Sequence, residues 1–287
     1  MNFSVKESLV LKKLRSGQVA TCFKVNIVDP RSAEIAAMSG FDCVWTCMEH
    51  VGNDWSTIGQ QVLAAKAHGA DLLCRVARGS YSDYVKPFEL DASGIMVPHV
   101  MDAEDAESIV RMTRFPPQGR RAVDGGNADA AYCGVPFVDY LRDSNLQKFV
   151  VLQIEDPESA ECLEAIAAVK GYDILFFGPG DFGVAIGDPG NPENPRLREV
   201  RRKIPELAAK YGKFAGTVCN PHNYQSLVDE GYRFLSMGAD VVGLSQYCQA
   251  MVREMKIFGS AGGGDGKEDG AGDDDKRGGQ LRQEGGV

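Results

Sequence analysis

Short apolar runs of strand length recur along the chain, and a segment with the periodicity of an amphipathic helix follows each of them. The series begins with VATCFKV before PRSAEIAAMSG and DCVWTCM before DWSTIGQQVLAAKAHG, and it ends with YRFLSMG before ADVVGLSQYCQAMVREMKIF. Parallel strands need crossover helices and are covered on both faces. The eight units found in this way therefore predict an α/β chain folded as one (β/α)8 TIM-type barrel.

An open doubly wound sheet is the rival fold for the same alternation, but no dinucleotide-type glycine fingerprint stands at the first turn. The barrel is predicted to span residues 1–258. From Gly259 to Val287, 11 of 29 residues are glycine and almost nothing is apolar. Such a segment cannot offset its ordering entropy, so residues 259–287 are predicted to form a disordered Gly/Asp-rich tail.

Composition narrows the classes of function. The net charge of −9 and the pI near 5.1 disfavour nucleic acid as a partner, because nucleic-acid binders need a clustered positive surface. No apolar run reaches membrane-spanning length and the N-terminus is unlike a signal peptide, so a cytoplasmic protein is expected. The eight cysteines lie mostly in apolar segments, which indicates reduced thiols and not a disulfide framework.

Residues that directly follow the strands of a parallel barrel line one mouth, which is where catalytic groups of this fold lie. The candidates at these positions are mostly polar or charged, and they are Glu49, His50, Arg75, Gln153, Glu155, Gly178, Gly180 and Asp181. The long polar excursion 116–147 lies between two strand signals. Loops of that length at the carboxyl ends of barrel strands commonly carry function.

Glu155 and Asp181 follow strongly apolar strands, where an unpaired buried carboxylate would be costly. A hard cation such as Mg²⁺ would satisfy both carboxylates. The alternatives are solvated loop carboxylates or helix caps. The two glycines of Gly-Pro-Gly-Asp would let the backbone approach a ligand closely and present N–H groups to an anion.

Two cationic or titratable side chains complete the predicted mouth. Arg75 stands in an apolar strand and needs an anionic partner, either a developing enolate oxygen or a carboxylate. His50 is a candidate general base, although a histidine at a strand end is often only hydrogen-bonded. His68, His99 and His222 receive no role. No lysine ends a predicted central strand apart from Lys24, near the end of the first.

Several stretches in unbroken order resemble the HpcH/HpaI family of metal-dependent (class II) pyruvate aldolases, from about residue 17 to 258. They are FDCVWTCMEHVGNDWSTI, the arginine of LLCRV, GIMVPHV, RFPPQGRRAV, VVLQIED and GPGDFGVAIGDPGNPENP. The resemblance implies a (β/α)8 barrel assembled as trimers or hexamers. It further implies a divalent cation (Mg²⁺, Mn²⁺ or Co²⁺) held by Glu155 and Asp181.

The same resemblance implies roles for the other residues. Gln153 and the amides around Gly178, Gly180 and Asp181 would hold the carboxylate of a 2-oxo acid, Arg75 would stabilise the enolate, and His50 would move the proton. Glu89 stands where a neighbouring subunit's site often receives an acid, and Arg121 falls on the arginine of a PPxGxR loop. Cys47 takes the place of the family's usual aspartate, so His50 is expected to be a weaker base or to depend on Glu49.

These features together predict a lyase that cleaves or forms 4-hydroxy-2-oxo acids from a 2-oxo acid and an aldehyde. Two alternatives share the site. The first is an oxaloacetate-type decarboxylase, and the second is a non-catalytic protein that binds 2-oxo acids.

Overall fold

Eight parallel strands close into a barrel in chain order, and the first strand pairs with both the second and the eighth. The computed structural model describes residues 3–261, with side chains of the last helix up to residue 256. The strands are β1 Ala20–Lys24, β2 Cys43–Cys47, β3 Asp71–Arg75, β4 Gly94–Val97, β5 Phe149–Ile154, β6 Ile174–Phe177, β7 Phe214–Cys219 and β8 Tyr232–Ala239. The predicted barrel is confirmed.

Helices connect the strands and cover the outside of the barrel. They are α1 Leu9–Arg15, α2 Pro30–Met38, α3 Trp55–Ala67, α4 Tyr81–Glu89, α5 Ala103–Thr113, α6 Phe137–Gln147, α7 Pro157–Glu161, α8 Leu163–Ala168, α9 Pro179–Ala185, α10 Pro195–Lys210, α11 Tyr224–Asp229 and α12 Asp240–Ala261. No helix within the described residues is long and apolar enough to cross a membrane.

The last helix continues past residue 258, the predicted end of the barrel. Helix α12 runs to Ala261, past residue 258, so residues 259–261 are helical. The remainder of the predicted tail lies outside the described residues.

The barrel interior is filled and closed at its amino-terminal end. Phe149, Phe176 and Phe234 pack edge-to-face at its centre. Helix α1 contributes Val10, Leu11 and Leu14 to the same apolar cluster. Because the interior is solid and one end is covered, ligands can reach the barrel only at the carboxyl ends of the strands, called the mouth below.

The excursion 116–147 is not a mouth loop in the sense expected. It contains α6 and begins after α5 and ends before β5, so both of its ends lie at the amino-terminal face. From there it runs along the outside of the barrel, where the Ala122 N–H donates to the Tyr81 hydroxyl at the start of α4 (2.6 Å). A connection from a helix to the next strand returns the chain to the barrel floor, which the apolar pattern alone did not show.

Candidate active site

Glu155 lies directly after β5 and is only 1% exposed. Its Oε1 accepts a hydrogen bond from the His99 backbone N–H (2.9 Å), and its Oε2 accepts one from the Gln153 side-chain amide. Burial raises the pKa of Glu155 to about 7; His99 and Arg75 oppose the rise, and the negative charge of Asp181 adds to it. The protein thus buries a carboxylate without fully compensating its charge.

Asp181 lies in the first turn of α9 and is exposed. Helix α9 follows β6, which pairs with β5, so Asp181 and Glu155 lie at the carboxyl ends of neighbouring strands. The N–H groups of the first helical turn have no partners within a helix, so the amides of Gly180 and Asp181 are free to meet a ligand.

Gly178 and Gly180 differ in what surrounds them. A Cβ on Gly178 would lie 2.6 Å from Glu155 Oε2 and 3.0 Å from Gln153 Nε2, whereas a Cβ on Gly180 would meet nothing within 4 Å. The Gly178 N–H is not available to a ligand, because it donates to the Ile154 carbonyl (2.9 Å). Gly178 therefore makes room for Glu155, and Gly180 leaves the backbone accessible.

The donor set fits a hard divalent cation. Two carboxylates meet at the mouth, and the buried Gln153 Oε1 accepts no hydrogen bond from any described residue. Within the described part of the chain, no group of three or more His, Cys, Asp and Glu side chains is arranged so that it could hold a metal ion. Mg²⁺ commonly binds through one or two carboxylates and keeps water or substrate oxygens in its other positions.

Arg75 is buried at the end of β3, and its partner is a carboxylate of the protein. Its Nε lies 3.0 Å from Glu49 Oε2, and its Nε and Nη2 both donate to Cys47 Sγ (3.3 Å each). Guanidinium has five N–H donors, so these contacts leave others for a ligand. Of the two partners considered for Arg75, the structure shows the carboxylate of Glu49.

The side chain of His50 lies at the mouth and is 56% exposed. Its Nε2 lies 3.5 Å from Glu49 Oε2, and its backbone N–H donates to Cys47 Sγ (3.4 Å). The thiol of Cys47 therefore touches the backbone of His50 and not its imidazole. The acid nearest to the imidazole is Glu49, which Arg75 shares.

His99 is a mouth residue to which sequence reasoning gave no role. Its Nδ1 lies 2.9 Å from Asp156 Oδ2 and its Nε2 lies 3.6 Å from Glu49 Oε1. Burial lowers the pKa of His99, but the acids Asp156, Glu155 and Glu49 outweigh burial and raise it. The sequence places this histidine of GIMVPHV directly after the fourth strand. It does not show that the backbone of His99 is left-handed (φ +49°).

Glu89 and Arg121 lie apart from these residues, on the outer side of α4. Arg121 Nη2 donates to Asp129 Oδ2 (2.8 Å), and its guanidinium lies 4.5 Å from the Phe115 ring centroid. Glu89 lines a cavity of about 120 Å³ together with residues 122–124. Burial raises the pKa of Glu89, and the charge of Arg121 partly opposes the rise. Glu89 and Arg121 thus belong to a second group of charged side chains, separate from the residues at the mouth.

The contrast between the two glycines gives a matched test of the carboxylate pair. Gly178→Ala should displace Glu155 and weaken Mn²⁺ binding about 10- to 100-fold, the cost typical of disturbing a ligand's support. Gly180→Ala should leave Mn²⁺ affinity nearly unchanged. Calorimetric titration of both variants with Mn²⁺ measures the difference, and equal affinities would contradict the placement of Glu155.

The raised pKa of Glu155 predicts a pH dependence of metal binding. A carboxyl group with a pKa of about 7 is mostly protonated below that pH and must lose its proton to bind a cation. Mn²⁺ affinity should therefore fall about tenfold per unit as pH drops below 7, and level off above it. Titrations between pH 5.5 and 8.5 measure the slope; a flat profile down to pH 5.5 would show that Glu155 is already ionised there.

Comparison with known proteins matches this chain to one family. Residues 21–246 match the family model described as HpcH/HpaI aldolase/citrate lyase. The hydroxypyruvate/pyruvate aldolase of Pseudomonas aeruginosa is 30% identical over 80% of this chain and 85% of its own length. The 2-keto-3-deoxy-L-rhamnonate aldolase of Klebsiella pneumoniae is 31% identical, over 79% and 84%.

Among solved structures, the HpcH/HpaI aldolase from Desulfitobacterium hafniense superposes with a TM-score of 0.81 at 27% identity. The match covers 85% of this chain and 95% of that one. The family expected from the motifs is thus confirmed, and with it an enzyme of the aldolase type. The chain belongs to the HpcH/HpaI aldolase/citrate lyase family.

Proposed function

We propose that this chain is a divalent-metal-dependent aldolase that cleaves or forms 4-hydroxy-2-oxo acids through a pyruvate-type enolate. The observation that carries the proposal is the Glu155 carboxylate buried at the mouth, where burial and the negative charge of Asp181 raise its pKa to about 7. Relatives named as hydroxypyruvate/pyruvate and 2-keto-3-deoxy-L-rhamnonate aldolases support a 2-oxo acid as donor. The catalytic unit is the barrel, residues 1–258.

Glu155 and Asp181 would hold Mg²⁺, Mn²⁺ or Co²⁺. When bound, such a cation acts as a Lewis acid on the keto oxygen and as a template for the substrate. Gln153 stands beside Glu155 and fixes one carboxylate oxygen through its amide. Its own unpaired Oε1 is left to accept a hydrogen bond from a ligand.

The substrate carboxylate would bind at the start of α9. The amides of Gly180 and Asp181 are free there, and the space beside Gly180 is open. Backbone N–H groups with no other partner hold an anion without a change in the fold.

Arg75 and His50 would handle the charge and the proton. The guanidinium of Arg75 is fixed by Cys47 and Glu49, so it presents its remaining donors to the enolate oxygen in a set direction. Preorganised donors of this kind stabilise a developing charge more than mobile ones. His50 would take the proton from the aldol hydroxyl, with Glu49 as the acid nearest to its ring.

Assembly as a trimer or hexamer is part of the proposal. Helix α12 leaves a row of apolar side chains exposed at helical spacing: Val241, Leu244, Val252 and Met255, which are 41%, 53%, 45% and 63% exposed. These residues are three, eight and three positions apart in turn, separations that place them on one face of a helix. An exposed apolar face of this kind supports packing against another copy of the chain.

The proposed function is tested by removing the metal. Treatment with EDTA should abolish the aldol cleavage of a 4-hydroxy-2-oxo acid, followed as pyruvate release. Mg²⁺, Mn²⁺ or Co²⁺ should restore the activity, while Glu155→Gln should stay inactive with every metal, because an amide is a much weaker ligand than a carboxylate. Cleavage that survives complete chelation would overturn the mechanism.

A further inference from the structure

Lys24 is a buried lysine in the barrel mouth for which the proposed mechanism has no use. It is the last residue of β1, whose first, third and fifth residues are buried. Ala20 and Cys22, the other two, belong to the cluster that fills the barrel interior. Since side chains alternate along a strand, Lys24 points inward as well, one layer above them and at the carboxyl end. It is only 5% exposed.

The ammonium group of Lys24 has no anionic partner. Among the described residues, no acceptor forms a hydrogen bond or ion pair with its Nζ, which instead lies 5.2 Å from the Trp45 ring centroid. The comparably buried Lys148 pairs with Asp91 at 2.6 Å and donates to the Ala92 carbonyl. A cation with little contact with solvent and without such partners is costly, and contact with an aromatic ring returns only part of that cost.

Lys24 acts electrostatically on the mouth residues. Arg75 lies over the same Trp45 ring, with its guanidinium carbon 5.1 Å from the centroid. Burial and the charge of Arg75 lower the pKa of Lys24, and the negative charges of Glu49 and Asp181 oppose that change. Lys24 ends β1, Arg75 ends β3 and Glu155 directly follows β5, so the three residues lie at the same end of the barrel.

When the acids at the mouth are matched with their positive partners, Lys24 is left without a negative one. Glu49 lies 3.0 Å from Arg75 and pairs with it. Glu155 and Asp181 together carry the two negative charges that would match a divalent cation. Of the strand-end cations among residues 3–256, Lys24 is then the one without a matching acid. A bound 2-oxo acid brings one negative charge, and its enolate brings two.

We propose that Lys24 binds the substrate directly, with its ammonium group pairing with the anionic oxygens of the 2-oxo acid and its enolate. This inference rests on the proposed function and adds a substrate-binding residue to it. Trp45 would hold the ammonium at the mouth by contact with its ring. The bound anion would then supply the partner that the protein itself does not.

The test is the binding of oxalate, a stable dianion shaped like the enolate, to the Mg²⁺-loaded protein by calorimetry. Lys24→Met should weaken oxalate binding at least about tenfold, which corresponds to about 1.4 kcal/mol. Lys24→Arg, which keeps the charge, should retain most of the affinity. Mg²⁺ binding without oxalate should not weaken in Lys24→Met, because the change removes a positive charge from the mouth.

Lys213→Met is the matched control. Lys213 also lies over an aromatic ring, 4.3 Å from the Tyr172 centroid, and burial likewise lowers its pKa. It precedes β7, however, and so lies at the amino-terminal face of the barrel. Oxalate affinity should be unchanged in this variant.

The outcomes separate the two proposals. Oxalate binding in Lys24→Met equal to that of the unmodified protein would overturn the role of Lys24 and leave the metal-dependent aldolase intact. No oxalate binding to the unmodified protein with Mg²⁺, Mn²⁺ or Co²⁺ would overturn both.

A second measurement on the unmodified protein covers the case in which Lys24→Met does not fold. Acetylation of Lys24 by an amine-reactive reagent, read by mass spectrometry, should slow at least about fivefold when oxalate and Mg²⁺ are bound, because the paired ammonium must lose its proton to react. Acetylation of Lys213 should not change. Equal rates at Lys24 with and without oxalate would contradict direct binding.

Discussion

The carboxylate of Glu155, buried at the end of a barrel strand, is the constraint around which the mouth is organised. The fold encloses it with a backbone N–H from His99 and an amide from Gln153, and removes the side chain at Gly178 to make room for it. Two neutral donors do not balance a buried negative charge, and the pKa of about 7 is the result. A cation shared with Asp181 would satisfy the group and keep it ionised.

Glu49 organises the charges on the other side of the mouth. One of its oxygens lies near both Arg75 and His50, and the other lies 3.6 Å from His99. Cys47 accepts hydrogen bonds from Arg75 and from the His50 backbone, so it orients the guanidinium without adding a carboxylate. His50 and Arg75 therefore share Glu49 as the nearest acid.

The strand-and-helix alternation was sufficient to predict the barrel, because each unit combines an apolar run with a helical period. The mouth residues were predictable for the same reason: Arg75 and Glu155 stand at strand ends, and all strand ends of a parallel barrel face one way. Contacts between loops were not predictable. The partner of Arg75, the left-handed backbone of His99 and the pairing of Arg121 with Asp129 depend on how separate connections meet in space, which no local pattern encodes.

In the proposed mechanism Glu155 and Asp181, which follow neighbouring strands, share one metal ion. A crystal structure of the protein with Mn²⁺ and oxalate, with the metal located by its anomalous scattering, measures this directly. We expect one Mn²⁺ ion with an oxygen of Glu155 and an oxygen of Asp181 each about 2.0 to 2.4 Å away. An ion bound elsewhere, or one that leaves either carboxylate more than about 4 Å away, would contradict the proposed metal site.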